Sequence, residues 1–145
     1  MNQWIAAVLV VAVSAGVAFA DSDAIKARKD LMKANGDASK PLVPMLKGAA
    51  PFDLATVQTA LKTYANAAEK MPALFPDDSK TGGDTHALPA IWENKADFEA
   101  RFKKLGEDVA AASASIKDEA TFKADIQPVF KDCGGCHEKY RAKEN

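Results

Sequence analysis

Residues 118–140 read DEATFKADIQPVFKDCGGCHEKY, and this stretch carries the strongest structural signal in the chain. Its apolar side chains recur every three or four residues, which is the spacing of a helix with one buried face. The stretch is therefore predicted to form a helix that opens near Asp118, and Pro128 is expected to kink it or delay its start. The predicted buried face holds, in chain order, Phe122, Ile126, Val129, Phe130, Cys133, His137 and Tyr140.

The pentapeptide Cys133-Gly134-Gly135-Cys136-His137 lies near the end of this helix. Two thiols in C-x-x-C spacing followed at once by histidine are typical of a c-type haem attachment site. Each thiol adds across one haem vinyl group, and the histidine binds the iron from the proximal side. On a helix, Cys133, Cys136 and His137 share one face. The motif predicts one haem c, held through Cys133 and Cys136 and ligated by His137, in the core of the fold.

Three other chemistries use a C-x-x-C pair. A redox dithiol is expected within a βαβ pattern, which is not visible in this sequence. A tetrahedral zinc site needs four ligands. Outside the motif the chain offers no further cysteine and one further histidine, His86, which lies in a loop-like stretch. A structural disulfide between Cys133 and Cys136 leaves His137 unexplained. Covalent haem is the prediction that accounts for all three residues.

Residues 1–20 are predicted to be a secretory signal peptide. They carry no charged side chain, contain an apolar run from Ile5 to Val13, and end in Ala18-Phe19-Ala20 before Asp21. The run is shorter than the roughly 20 apolar residues of a membrane span. The mature domain is therefore predicted to comprise residues 21–145, with no stable membrane anchor. Because bacteria attach haem c outside the cytoplasmic membrane, we expect it in the periplasm of a Gram-negative bacterium.

The charges of the chain are nearly balanced, with 19 Lys and Arg against 20 Asp and Glu and a formal net charge of −1. They are scattered along the sequence rather than gathered into a basic patch, so nucleic-acid binding is not expected. No motif pairs a nucleophile with a base or places two carboxylates together, and no enzyme class is indicated.

Three further helices are predicted from apolar spacing. The first starts near Ser22, with Gly36 as a candidate stop. The second begins at Asp53, a favourable N-cap, and ends at Pro72. The third covers about residues 89–116. Four amphipathic helices with mostly short connections predict an all-α fold, an antiparallel four-helix bundle.

The second axial position of the haem iron decides the function. Met32 is the best-placed candidate because it lies on the apolar face of the first helix; its alternative role is core packing. Met45 and Met71 are expected to be packing residues, and His86 is expected to be exposed. A thioether ligand suits an electron carrier, whereas an empty site admits a diatomic ligand. Arg28, one turn before Met32, can bond a haem propionate or face solvent.

Four segments of the chain, taken in order, resemble a known protein family. The chain resembles the class II cytochromes c, which comprise cytochrome c′ and its low-spin, methionine-ligated relatives. The resemblance implies thioethers at Cys133 and Cys136, His137 as proximal ligand, Arg28 near a propionate and Met32 over the distal face. Its segments are Arg28-x-x-x-Met32-Lys33, Leu74-Phe75-Pro76, Ala90-Ile91-Trp92, and the pentapeptide followed by Tyr140-Arg141.

The family divides at the position that Met32 occupies. In the low-spin branch the matching methionine is the sixth iron ligand. In cytochrome c′ that residue does not bind the iron, so the haem is five-coordinate, high-spin and open to NO or CO. Residues 31–36 are closer to the low-spin branch, whereas Arg28 is at home in cytochrome c′ and Pro41 and Pro44 are unusual for both. We predict a one-electron carrier that serves redox partner proteins, with a gas-binding cytochrome c′ as the alternative; homodimers are frequent in the family.

Overall fold

The structure, a computed structural model, describes residues 21–143, so the predicted signal peptide lies outside the described residues. None of the described helices has the length and apolar character that a bilayer span requires. Two short 3-10 turns, Met71–Leu74 and Asp77–Ser79, follow the third helix. The α-helices are α1 (Asp21–Ser39), α2 (Leu42–Leu46), α3 (Leu54–Lys70), α4 (Ala90–Glu93), α5 (Lys95–Ser115) and α6 (Glu119–Tyr140).

The four long helices pack side by side around one apolar core. α1 packs on α3, α3 on α5, and α5 on α6. Within the described part of the chain, α1 and α6 form no close interface of this kind. The prediction of a four-helix bundle is confirmed, and α3 and α5 connect α1 to α6.

The starts of α3 and α6 are set by local hydrogen bonds, as the sequence predicts. The carboxylate of Asp53 accepts from the backbone N–H of Thr56 at 2.6 Å. Asp118 accepts from Thr121 N–H at 2.8 Å, and the Thr121 hydroxyl accepts in return from Asp118 N–H at 3.1 Å. This reciprocal pair is a capping box. α6 therefore begins at Glu119, and Pro128 lies within a continuous helix without delaying its start.

Two predicted helix boundaries are wrong. α1 does not stop at Gly36 but continues to Ser39. Gly36 is exposed, and a glycine inside a helix costs only about 1 kcal/mol relative to alanine, which ion pairs of Asp37 on the same helix help to offset. The predicted third helix is two helices, because Asn94 leaves the helical region with φ −128° and ψ 48°.

The segment between α3 and α4 is tied to the end of α6. Ala87 and Arg141 form an antiparallel bridge. On either side of it, Ala142 N–H donates to the carbonyl of His86 at 2.8 Å, and Leu88 N–H donates to the carbonyl of Tyr140 at 2.9 Å. His86 is therefore half-buried rather than exposed, and the pairing fixes where α6 ends.

Candidate haem-binding site

Cys133 and Cys136 lie on the inner side of α6. Both are free thiols, both are half-buried, and both pack against the hydrophobic core. Burial raises the pKa of Cys133, and it raises the pKa of Cys136 to about 11 even though the positive charge of Arg101 opposes this shift. The two sulfurs are therefore neutral thiols at neutral pH, on the same helix face and one turn apart.

His137 follows directly and is also half-buried. Burial lowers its pKa, and the positive charge of Arg141 lowers it further. A neutral imidazole keeps a lone pair on one ring nitrogen, which is the form that binds a metal ion. The environment of His137 thus favours the ligating state.

Met32 lies on α1, across the bundle from the haem motif. It is half-buried and packs against the core, so the structure places it on the inner face of α1, as the apolar spacing predicts. Met45 and Met71 are buried core residues, as expected. Met32 and His137 therefore project from the two long helices, α1 and α6, that do not pack closely on each other.

Arg28 does not face solvent; it is only 4% exposed. Its guanidinium donates to the hydroxyl and carbonyl oxygens of Ser79, each at 2.9 Å. It also donates to the carbonyl of Leu74 at 3.2 Å and the hydroxyl of Thr85 at 2.6 Å. The same group lies over the ring of Phe75, 4.6 Å from its centroid. Arg28 thus fastens the segment 74–85 to α1.

A cluster around Asp97 fixes the end of α6 to α5, and sequence reasoning missed it. The Asp97 carboxylate accepts from Tyr140 Oη at 2.5 Å, Arg101 Nε at 2.9 Å and Lys139 Nζ at 3.0 Å. These hydrogen bonds hold the pKa of Asp97 well below its usual range, and the one from Tyr140 has the largest effect. The spacing of Asp97 and Arg101, four residues apart on one helix, was the only local signal for it.

A second cluster joins the same two helices on the other side of the motif. Lys104 lies 2.5 Å from an oxygen of Asp108 and 3.0 Å from one of Asp132. Burial raises the pKa of Asp132, whereas the hydrogen bond from Lys104 lowers that of Asp108. Asp132 directly precedes Cys133, so the two clusters together hold the haem motif in register with α5.

The residues present fit a covalently bound haem. Two unpaired thiols and a neutral imidazole occupy one face of a rigid helix, and apolar side chains surround them. Among the described residues, no group of three or more His, Cys, Asp and Glu side chains is arranged to hold a metal ion by itself. The donor set matches a prosthetic group that brings most of its own ligands to the iron.

Comparison with known proteins agrees with this donor set. The family model described as Cytochrome C′ matches residues 23–141. A cytochrome c′ of Rhodopseudomonas palustris is 50% identical over 136 residues, which cover 94% of this chain and 93% of the relative. A cytochrome c-556 of the same organism is 37% identical over 135 residues, covering 90% and 91%. The solved structure of cytochrome c′ from R. palustris has a TM-score of 0.82 at 52% identity and covers 85% of this chain and 98% of that one. The chain therefore belongs to the cytochrome c′ family, and it carries one haem c attached through Cys133 and Cys136.

Proposed function

We propose that this protein is a periplasmic one-electron carrier in which His137 and Met32 are the two axial ligands of the haem iron. One observation carries the proposal. Met32 is half-buried on the inner face of α1, and the helix that bears His137 lies across the bundle without packing closely on α1. This arrangement supports the proposal that the thioether of Met32 meets, from α1, a group held on α6.

Each side chain of the proposed site has a distinct role. Cys133 and Cys136 fix the cofactor to α6, and His137, kept neutral by burial, presents a ring nitrogen to the iron. Met32 supplies a soft, uncharged ligand, which favours the reduced state and raises the potential. The haem, when bound, supplies the one-electron chemistry. The surrounding core side chains exclude water, and redox partner proteins deliver and remove the electron.

The role of Arg28 in the proposal is to hold the segment 74–85 on α1. Its four terminal N–H groups are directed at Ser79, Leu74 and Thr85. A haem propionate can replace a hydroxyl acceptor such as that of Thr85, because a charged carboxylate is the stronger acceptor. A propionate contact at one of these terminal nitrogens therefore requires a hydrogen bond of this set to be exchanged.

A gas-binding cytochrome c′ is the second candidate. It is favoured by the higher identity to the cytochrome c′ relative, 50%, than to the cytochrome c-556 relative, 37%. In this alternative, Met32 only packs against the core, and the sixth position stays open to NO or CO.

Optical spectra of the ferric and ferrous protein, with and without CO, separate the two candidates. We expect a low-spin ferric spectrum and slow CO uptake limited by loss of the Met32 ligand. Met32→Ala is expected to give a high-spin ferric protein that takes up CO rapidly. Met45→Ala, which removes a buried methionine outside α1, is the matched control and is expected to stay low-spin. A high-spin wild-type protein that Met32→Ala does not change would exclude the carrier proposal in favour of the gas binder.

A further inference from the structure

Asn35 places an unsatisfied polar group inside the bundle. Its side-chain Oδ1 is buried and has no hydrogen-bond partner among the described residues. Buried amide oxygens in native proteins are nearly always bonded, so an exception calls for an explanation such as a ligand or water. Asn35 lies one turn after Met32 on α1, and residues three apart on a helix share a face.

The neighbouring hydroxyl groups cannot satisfy this amide. Ser39 Oγ donates to the backbone carbonyl of Asn35 at 2.8 Å. Ser39 Oγ is also 2.6 Å from Tyr64 Oη, and because its own hydrogen is already used, Tyr64 is the donor of that bond. Both hydroxyl hydrogens are therefore committed, and the side-chain amide of Asn35 is left without either.

Tyr64, the hydrogen-bond partner of Ser39, lies near the haem motif. Tyr64 is 2% exposed; burial raises its pKa most, and the nearness of Cys133 raises it further. Hydrogen bonds thus link the backbone of Asn35 through Ser39 to Tyr64 on α3, and Tyr64 lies near the first cysteine on α6. This part of α1 is therefore connected to the part of the bundle that holds the haem motif.

We propose that the side-chain amide of Asn35 is the hydrogen-bonding group on the distal side of the haem, and that it donates through Nδ2 to a diatomic ligand at the sixth iron position. The oxygen and nitrogen of an amide exchange places by a half-turn of the side chain, and the hydrogen-bond network decides their orientation. No bond in the described structure holds Oδ1 in its present place. Cβ atoms three residues apart on a helix are separated by about 5–6 Å, so the amide reaches atoms next to the Met32 thioether.

The inference rests on the proposed function in one respect, namely that α1 covers the distal side. It does not depend on whether Met32 binds the iron. In the electron carrier, the amide acts on a ligand that displaces Met32; in the gas binder, it acts on a ligand that finds the site open.

The test uses CO on the ferrous, haem-loaded Met32→Ala protein, in which the sixth position is open under either function. A hydrogen bond to the CO oxygen increases electron donation from the iron into the ligand and weakens the C–O bond. Adding Asn35→Leu should therefore shift the C–O stretching frequency upward and make CO dissociate several-fold faster. Asn35→Ala should give the same shift if leucine overpacks the site. Asn66→Leu in the same background is the matched control, because Asn66 lies outside the buried stripe of α3, and it should change neither quantity.

An unchanged C–O stretch and an unchanged dissociation rate in both Asn35 variants would overturn the inference. A gain in resistance to denaturant without any spectral change would do the same, since it would show that Asn35 is only an unpaired buried amide. The proposed function is tested by a separate measurement, the spectrum of the wild-type ferrous protein before CO is added. A five-coordinate wild type contradicts Met32 ligation and leaves the comparison of C–O frequencies valid.

Discussion

Replacing Arg28 by leucine is expected to release the segment 74–85 from α1. The guanidinium is 4% exposed and is the donor in four hydrogen bonds to this segment. Leucine fills part of the same volume but donates nothing. The carbonyl of Ser79, a residue that is 0% exposed, would lose the Arg28 donor and remain buried.

The size of the effect follows from the groups left behind. Hydrogen bonds to a charged group contribute about 1.5–3 kcal/mol each, but burying the guanidinium costs much of that sum. Water can replace the donor at the less buried Leu74 and Thr85, whereas the acceptors of Ser79 stay dry. The contact with the Phe75 ring is lost as well. We expect Arg28→Leu to lower the free energy of unfolding by about 2–4 kcal/mol, because a buried neutral acceptor left without a donor costs about 1–3 kcal/mol and the lost cation–π contact adds to this.

The measurement is urea unfolding of the haem-loaded protein, combined with limited proteolysis. Arg28→Leu should lose stability and gain cleavage sites within residues 74–85. Lys29→Leu is the matched control: it removes the same charge from the neighbouring position, where the lysine is exposed and makes a 3.4 Å ion pair with Asp84 and a 3.2 Å hydrogen bond to its carbonyl. Arg28→Lys should be intermediate, because an ammonium group cannot reproduce the planar fork. If Arg28→Leu costs no more than Lys29→Leu and the segment stays resistant to protease, the assigned role of Arg28 is refuted.

Two further predictions concern the ends and interior of helices. Hydrogen bonds from Lys33 and Lys40 lower the pKa of Asp37 to about 2, below its ordinary value of about 4. Because the folded-state pKa is depressed, this contribution to stability is complete above pH ~4 and is lost as the pH falls through the folded value. Urea unfolding of Asp37→Asn should therefore differ from the wild type at pH 7, and the difference should close towards pH 2; a constant difference would contradict the assignment. Pro128 is exposed inside the continuous α6, so Pro128→Ala should raise the unfolding free energy by about 1–3 kcal/mol, since proline inside a helix is about 3 kcal/mol less favourable than alanine. Unchanged or lower stability in the same assay would mean that α6 needs the proline for its packing.

The sequence by itself determined the features whose causes lie within a few residues of each other. The haem motif is defined by the spacing of Cys133, Cys136 and His137. The starts of α3 and α6 depend on Asp53 and Asp118, each of which bonds a backbone N–H three residues away. The four apolar stripes likewise repeat at short intervals, so the number of long helices and the bundle fold could be predicted from them.

Only the tertiary structure decided the features that depend on distant partners. Arg28 meets acceptors 46 to 57 residues away, and no local pattern distinguishes this from a solvent-facing arginine. His86 is fixed by the backbone of Ala142, and α1 continues through Gly36. The order in which α1, α3, α5 and α6 pack, and the burial of the Asn35 amide oxygen without a partner, are likewise visible only in the folded chain. Burial and hydrogen-bond satisfaction are properties of the packed bundle. The local motif could therefore predict haem attachment, whereas the surroundings of Arg28, His86 and Asn35 could be seen only in the folded chain.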